Sequence, residues 1–208
     1  MPRRISTIIT AGGAAAALAV ALGAAPSFAT TAATWSVKPG GAVTAAGSAQ
    51  VKDAKTGTVA KCKSIKLAAT LKHGKGLSGH HIAKITKGSF TGCTIGTISV
   101  KVAVHGLPWY LNASSYKSGV THGTISGIDL KATATGCSAT LDGTGAGKNN
   151  GVVRGTYTNG TGKLKLLGSG GNLHDWAVSG CLGLVRNGDP EHASGSTKVT
   201  PRQTITSP

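Results

Sequence analysis

Short runs in which apolar and polar residues alternate constrain the fold of this 208-residue chain more than any other feature. The clearest run spans residues 98–104, where Ile or Val occupies every second position, and residues 65–71 repeat the pattern. A period of two is typical of a strand with one buried face. Turn formers, as in residues 38–41 and 149–151, separate such runs. Beyond residue 29, no window sustains the i, i+3, i+4, i+7 apolar pattern of a helix.

The spacing of these turns predicts an all-β domain with a single antiparallel sandwich or barrel of about ten to twelve short strands. A strand with one apolar face must bury that face against another sheet or inside a closed one. The two architectures predict the same alternation, so the choice between them stays open at this point.

The first 29 residues have the organisation of a signal peptide. Arg3 and Arg4 precede an uncharged apolar run over residues 8–25, and Ser27-Phe28-Ala29 supplies small residues at the cleavage site. A membrane anchor is the alternative, but the run is rich in Ala and only mildly apolar. We therefore expect a signal peptide over 1–29 and an exported all-β domain over 30–208. No second long apolar run occurs, which predicts no transmembrane segment after cleavage. We therefore expect a secreted, extracellular protein. It would be associated with the cell wall if its basic surface binds anionic wall polymers.

Four cysteines, Cys62, Cys93, Cys137 and Cys181, all lie in the exported part. An even number outside the cytoplasm predicts two disulfides, and three connectivities are possible. Pairing Cys62 with Cys93 and Cys137 with Cys181 is favoured, because each bond then closes a loop within one half of the chain. Consecutive cysteines are 31 to 44 residues apart, whereas structural zinc sites commonly use pairs two to four residues apart.

The exported part is strongly basic. Without Arg3 and Arg4 it has 20 Lys and Arg against 6 acids, a net charge of +14, and residues 30–128 hold 12 lysines but one acid. Such a surface attracts anions, so the sequence predicts adhesion to an anionic cell-wall polymer or another polyanion. The candidate residues are Lys61, Lys63, Lys66, Lys72, Lys75, Lys84 and Lys87. The alternative, that these lysines only maintain solubility, weighs equally.

Sequence-specific nucleic-acid binding is not expected. The exported part has 17 lysines and only 3 arginines, and lysine lacks the planar fork that recognises bases. Its aromatic residues are also few. The alternative function is binding of a small molecule in a pocket lined by Trp109, Tyr110 and Trp176. For Trp109, a buried packing role is favoured over a role in a binding surface, because tryptophan is usually largely buried.

Recognisable catalytic motifs are missing, which predicts a protein that is not an enzyme; an enzyme of unidentified class ranks third. The six acids are scattered, and only Asp189 and Glu191, which flank a proline, are near neighbours. His73, His80 and His81 cluster in the basic segment, where surrounding lysines would repel a metal ion. The sequence accordingly predicts no cofactor and no metal site.

Several segments carry a family resemblance. They include residues 34–41 (Thr-Trp-Ser-Val-Lys-Pro-Gly-Gly), 106–109 (Gly-Leu-Pro-Trp), 123–127 (Gly-Thr-Ile-Ser-Gly), 171–173 (Gly-Asn-Leu) and 204–208 (Thr-Ile-Thr-Ser-Pro). The chain resembles a family of small, secreted, uncharacterised proteins of actinomycetes such as Streptomyces. The resemblance covers most of the exported part. It implies a small exported β-protein and assigns no activity to individual residues.

Overall fold

The computed structural model describes residues 34–207. The predicted signal peptide, residues 1–29, lies outside this range. The described part contains fourteen strands: β1 (Trp35–Lys38), β2 (Gly41–Asp53), β3 (Val59–Leu71), β4 (Gly74–Leu77), β5 (Ala83–Ile95), β6 (Ile98–His105), β7 (Trp109–Lys117), β8 (Val120–Ala134), β9 (Cys137–Asp142), β10 (Gly151–Thr158), β11 (Lys163–Leu167), β12 (His174–Ser179), β13 (Glu191–Thr200) and β14 (Thr204–Thr206). The all-β prediction is confirmed. Three short strands, β1, β4 and β14, form a separate small sheet and bring the number above the expected ten to twelve.

Eight strands close into a ring. Antiparallel pairings run in the order β2, β3, β5, β7, β8, β10, β11 and β13, and β13 pairs back with β2. Closure leaves no free edge in this ring. The β13–β2 contact, between residues 191–200 and 44–53, joins the two ends of the chain and so completes the ring.

Two long strands connect the ring to a side layer. β5 pairs with β7 through residues 83–85 and with β6 through residues 93–95. β8 likewise pairs with β7 and β10 through its first part, and with β6 and β9 through its last part. β12 adds to β9 at the edge of this layer. The side layer is therefore an extension of strands that also build the ring.

The small sheet covers one end of the ring. β1 lies between β14 and β4, and Val37 on β1 is completely buried. Buried Gln203 accepts a hydrogen bond from Gly40 N at 2.8 Å, and its own backbone N–H donates to Tyr157 Oη at 2.8 Å. These contacts close this end, which we call the cap end.

Inward positions follow the alternation that the sequence shows. β10 has Gly151, Val153, Gly155 and Tyr157 buried, with less buried residues between them. Ile65 and Leu71 on β3 are also buried, as expected, whereas Ile98 at the start of β6 is 44% exposed. One apolar core, with Ile85 and Trp109 among its most buried members, fills the ring.

Both predicted disulfides are confirmed. Cys62 on β3 is directly opposite Cys93 on β5, and the two are bonded. Cys137 at the start of β9 is bonded to Cys181, in the loop that follows β12. Both bonds lie toward the end of the ring away from the cap, where β2 finishes and β13 begins. We call this the open end.

Candidate functional site

Three apolar cavities follow one another from the open end to the cap end; the first lies where the ring meets β6, β9 and β12 of the side layer, and the other two lie inside the ring. Their volumes are about 100 Å³ near the disulfides, about 80 Å³ in the middle and about 60 Å³ towards the cap end. The first two share five wall residues, Ala49, Val51, Phe90, Leu130 and Leu141, and the last two share Leu67 and Leu164. Only one layer of side chains therefore separates each cavity from the next.

The three aromatic residues proposed for a pocket are not together in the structure. Trp109 is 3% exposed, lines the middle cavity and donates its indole N–H to His105 O at 3.2 Å. Tyr110, the next residue, stacks against His81 with ring centres 3.9 Å apart. Trp176 belongs to β12 in the side layer and donates to Gly143 O at 3.3 Å. Of the three, only Trp109 contributes to the wall of an interior cavity.

All seven lysines of the predicted polyanion-binding set are exposed. Lys61, Lys63 and Lys66 project from β3, and Lys84 and Lys87 project from the neighbouring β5. The structure thus places these five on one outer surface, which we call the lysine face. Lys72 lies just beyond β3 and donates to His80 O at 3.0 Å, while Lys75 lies on β4 of the cap sheet.

Further lysines extend this surface around the ring. Lys163 on β11 lies directly opposite Lys198 on β13. Together with Lys63 they line an open polar groove that also contains Ser48 and Ser196. Like charges in opposite positions repel, and a bound anion would relieve that repulsion.

The three clustered histidines have contacts of their own. His73 Nδ1 is 2.6 Å from Pro39 O, and His80 and His81 stack with ring centres 3.6 Å apart. Desolvation, followed by the neighbouring His80 and Lys72, lowers the pKa of His81. These histidines are therefore engaged with the backbone and with each other.

A group of buried carboxylates lies at the open end of the ring. Asp53 ends β2, Glu191 begins β13 directly opposite it, and Asp175 lies on β12. One oxygen from each lies within 4.8 Å of the other two, and the residues are 1%, 8% and 1% exposed respectively. We call these three residues the carboxylate cluster. Asp175 and Glu191 also line the 100 Å³ cavity.

The cluster has oxygens without hydrogen-bond partners. Asp53 Oδ1 accepts from Lys55 N at 2.7 Å and from Thr56 N at 2.9 Å, which fixes the turn after β2. Its Oδ2, together with Asp175 Oδ2 and Glu191 Oε2, is buried and accepts no N–H or hydroxyl group of the described residues. Asp175 and Glu191 hydrogen-bond to each other only when one of the two is protonated. Asp189 Oδ2, in the loop before β13, is also buried and unpartnered.

Burial dominates the electrostatics of the cluster. Desolvation, and then the hydrogen bond and repulsion from Asp175, raise the pKa of Glu191 to about 10. Desolvation also raises the pKa of Asp175 to about 6, although its hydrogen bond with Glu191 acts in the opposite direction. Asp53 and Asp189 raise both values further. The neighbouring His174 lowers the pKa of Asp175, and no lysine or arginine is among the causes.

Asp142 is a further buried carboxylate, outside the cluster, and both of its oxygens accept hydrogen bonds. It ends β9 and accepts four backbone N–H groups. Its Oδ1 accepts from Gly143 at 2.6 Å, Asn150 at 2.9 Å and Gly151 at 3.0 Å, while Oδ2 accepts from Asn149 at 2.9 Å. We call this arrangement the Asp142 loop.

The carboxylate cluster could not be found by sequence inspection alone. Asp53 and Glu191 are far apart in the chain and meet only because β2 pairs with β13. The sequence signal that was available is the steady alternation in both strands, which places Asp53 and Glu191 on the inward face although both are charged.

The fold and these features define a disulfide-bonded, all-β protein with an apolar interior. The model for a family described as "Alkane oxidation protein activator PraA/PraB-like" matches residues 6–207, and the chain belongs to this family. The family description is that of an activator. The actinomycete origin and the secretion that the earlier resemblance implies stay predictions. No curated protein and no solved structure matches the chain. Within residues 34–207, no helix is long and apolar enough to cross a membrane. Two disulfides are compatible with an extracellular or periplasmic location.

Proposed function

We propose that this protein is an exported, non-catalytic accessory protein of alkane oxidation that holds a hydrocarbon inside the strand ring. The observation that carries the proposal is the row of apolar cavities, from the disulfide end to the cap end, with shared walls. The family description supports the same ligand class.

The chemistry of the cavity walls favours an apolar ligand. Empty apolar cavities do not hold water, and an engineered cavity of about 150 Å³ binds benzene. A hydrocarbon gains about 0.8 kcal/mol for each CH₂ group removed from water. Because one layer of side chains separates neighbouring cavities, rotation of Phe90 and Leu141 would join the first cavity to the second. A chain longer than one cavity could then lie along the axis of the ring.

A cavity-filling variant tests this function. Ala139 is 6% exposed and lines the 100 Å³ cavity, so Ala139→Leu should fill it, whereas Ala42→Leu adds the same atoms on the exposed side of β2. We expect n-hexane retention, measured by headspace gas chromatography, to fall several-fold in Ala139→Leu and to be unchanged in Ala42→Leu. Ala132→Val is the milder variant if Ala139→Leu does not fold. Failure of the wild-type protein to retain n-hexane, or equal retention by all folded variants, would overturn the proposal.

The second candidate function is electrostatic adhesion to an anionic cell-envelope polymer. The lysine face and the uncompensated Lys163–Lys198 pair favour it. Such binding collapses between low and moderate salt. It could operate together with hydrocarbon binding, because it uses the outside of the ring.

Matched charge reversals separate adhesion from solubility. The double variant Lys66→Glu/Lys87→Glu changes the lysine face, whereas Lys101→Glu/Lys131→Glu makes the same change in net charge on exposed positions of the side layer. Sedimentation with purified cell wall over a salt series should show a several-fold loss for the first variant only. Equal binding of the two variants would assign the lysines to solubility.

A further inference from the structure

Acidic residues are concentrated in one place in a basic protein. The chain has 6 Asp and Glu residues in total. Three form the carboxylate cluster, and the carboxyl of a fourth, Asp189, is close enough to raise the pKa of both Asp175 and Glu191. Burying several like charges together is costly unless a counter-charge is bound.

The buried oxygens supply a second, independent observation. Asp53 and Asp175 are 99% buried and Glu191 is 92% buried, and each has an oxygen that accepts no hydrogen bond from residues 34–207. Most buried polar atoms in proteins are hydrogen-bonded, so four unpartnered carboxylate oxygens in one region need an explanation. One oxygen from each of the three residues lies within 4.8 Å of the other two, which is close enough for a single ion to bind all three.

We propose that Asp53, Asp175 and Glu191 bind a hard divalent cation, Ca²⁺ in preference to Mg²⁺, at the open end of the ring, with Asp189 as an additional ligand. Carboxylate oxygens are the donors that Ca²⁺ takes, and the site offers no sulfur or imidazole ligand among its three members. The cation would supply the positive charge that no lysine or arginine provides.

The number of carboxylates favours Ca²⁺ over Mg²⁺. Ca²⁺ takes about six to eight oxygen ligands and accepts several carboxylates, whereas Mg²⁺ loses its water reluctantly and is usually bound by one or two carboxylates together with several waters. Three buried carboxylates, with Asp189 beside them, therefore supply more protein oxygens than Mg²⁺ usually takes.

The surrounding segments show what the cation would hold in place. The loop between β12 and β13 covers the cluster and is held by Gly188 N donating to Asp175 O at 2.6 Å and Asp175 N donating to Asp189 O at 2.9 Å. Thr56 Oγ1 in the β2–β3 turn donates to Leu184 O at 2.8 Å in the same loop. A cation bound to β2, β12, β13 and Asp189 would therefore join the ring, the side layer and this loop.

Isothermal titration calorimetry of the chelator-treated, exchanged wild-type protein with CaCl₂ and then MgCl₂ tests the proposal. We expect Ca²⁺ to bind and to raise the melting temperature, and Mg²⁺ to bind at least tenfold more weakly. Asp53→Asn should lower Ca²⁺ affinity at least tenfold while its Oδ1 can still accept the Lys55 and Thr56 N–H groups, so that the turn is retained. Glu191→Gln provides a second cluster variant if Asp53→Asn does not fold.

Asp129→Asn is the matched control, because Asp129 is also buried, at 6% exposure, but lies outside the cluster. Its Ca²⁺ affinity should equal that of the wild type. Absence of heat and of a melting shift up to about 10 mM Ca²⁺, ten times the weakest dissociation constants of extracellular calcium sites, would overturn the proposal. Equal Ca²⁺ affinity in the wild type and in both cluster variants would also overturn it.

If the proposal is overturned, a proton shared between Asp175 and Glu191 would be the charge that neutralises the cluster. Hydrocarbon retention is measured separately, so failure of one proposal does not decide the other.

Discussion

Asp142 and Asp53 both end a strand and both are almost fully buried, but their oxygens have different partners. Asp142 accepts four backbone N–H groups through its two oxygens. Asp53 accepts two through Oδ1, while its Oδ2 has no partner among the described residues and the carboxyl group lies beside those of Asp175 and Glu191. Burial removes the water that would hydrate both carboxylates. In the Asp142 loop, backbone N–H donors replace that water at both oxygens, whereas at Asp53 they replace it at Oδ1 alone.

The difference shows how to distinguish structural from ligand-binding acids. A carboxylate whose donors come from its own loop stabilises that loop and needs nothing else. A carboxylate that faces other carboxylates needs a proton or a cation, because its neighbours cannot donate unless they are protonated. Substitutions in the two regions should therefore change the free energy of unfolding by very different amounts.

The largest effect is expected in the Asp142 loop. Asp142→Ala removes the acceptor for four N–H groups and leaves them buried or strained, so we expect the free energy of unfolding to fall by about 3–5 kcal/mol. Denaturant unfolding of the variant and the wild type measures this loss of free energy. Thr144→Ala in the same loop, which removes one exposed acceptor, should cost less than about 1 kcal/mol. A similar loss of unfolding free energy in Asp142→Ala and Thr144→Ala would contradict the structural role assigned to Asp142.

A pH series in the presence of chelator sharpens the comparison. The folded-state pKa values of Asp175 and Glu191, about 6 and about 10, lie above their ordinary values of 3.8 and 4.5. Their contribution to stability is therefore complete below the ordinary values and is lost as the pH rises through the folded ones. We expect the metal-free protein to lose at least about 3 kcal/mol between about pH 4 and pH 9, which is the loss that the raised pKa of Asp175 alone would give, with a further loss from Glu191. Glu191→Gln should flatten that decline; an unchanged slope would show that other groups cause it.

The smallest effect is expected for Asp53→Asn without cation. The change removes one charge from a repulsive group and retains the acceptor that fixes the turn, so the free energy of unfolding should change by less than about 1 kcal/mol in either direction. Thermal unfolding in chelator measures this. A loss as large as that of Asp142→Ala would show that Asp53 is a structural acid like Asp142.

Alternation predicted the main strands and most of their inward faces, but it missed the short strands of the cap sheet and placed the exposed Ile98 inward. Ile65 and Leu71 are buried where period two places them, and Lys66 is exposed between them. The disulfides followed from the number and spacing of cysteines, because an exported chain pairs them and nearby partners close the smaller loops. Burial of Trp109 followed from its size.

The arrangement of strands required information that the alternation does not contain. Each strand shows the same pattern whatever its neighbours, so neither the β13–β2 pairing nor the ring could be derived from it. The carboxylate cluster depends on that pairing and was missed for that reason. Tyr110 adjoins Trp109 in sequence but lies on the opposite face of β7, against His81, which alternation could have indicated.

The small sheet at the cap end gives the molecule a direction. β1 and β14 are paired, and Ser207 Oγ donates to Thr34 O at 3.1 Å, so the two termini of the described chain are adjacent. β2 runs from this end to Asp53 over 13 residues, about 40 Å at the rise of an extended strand. A surface or label joined to either terminus of the described chain would therefore hold the molecule at the cap end. The opposite end, with the carboxylate cluster and the 100 Å³ cavity beneath its surface, would then face the surroundings.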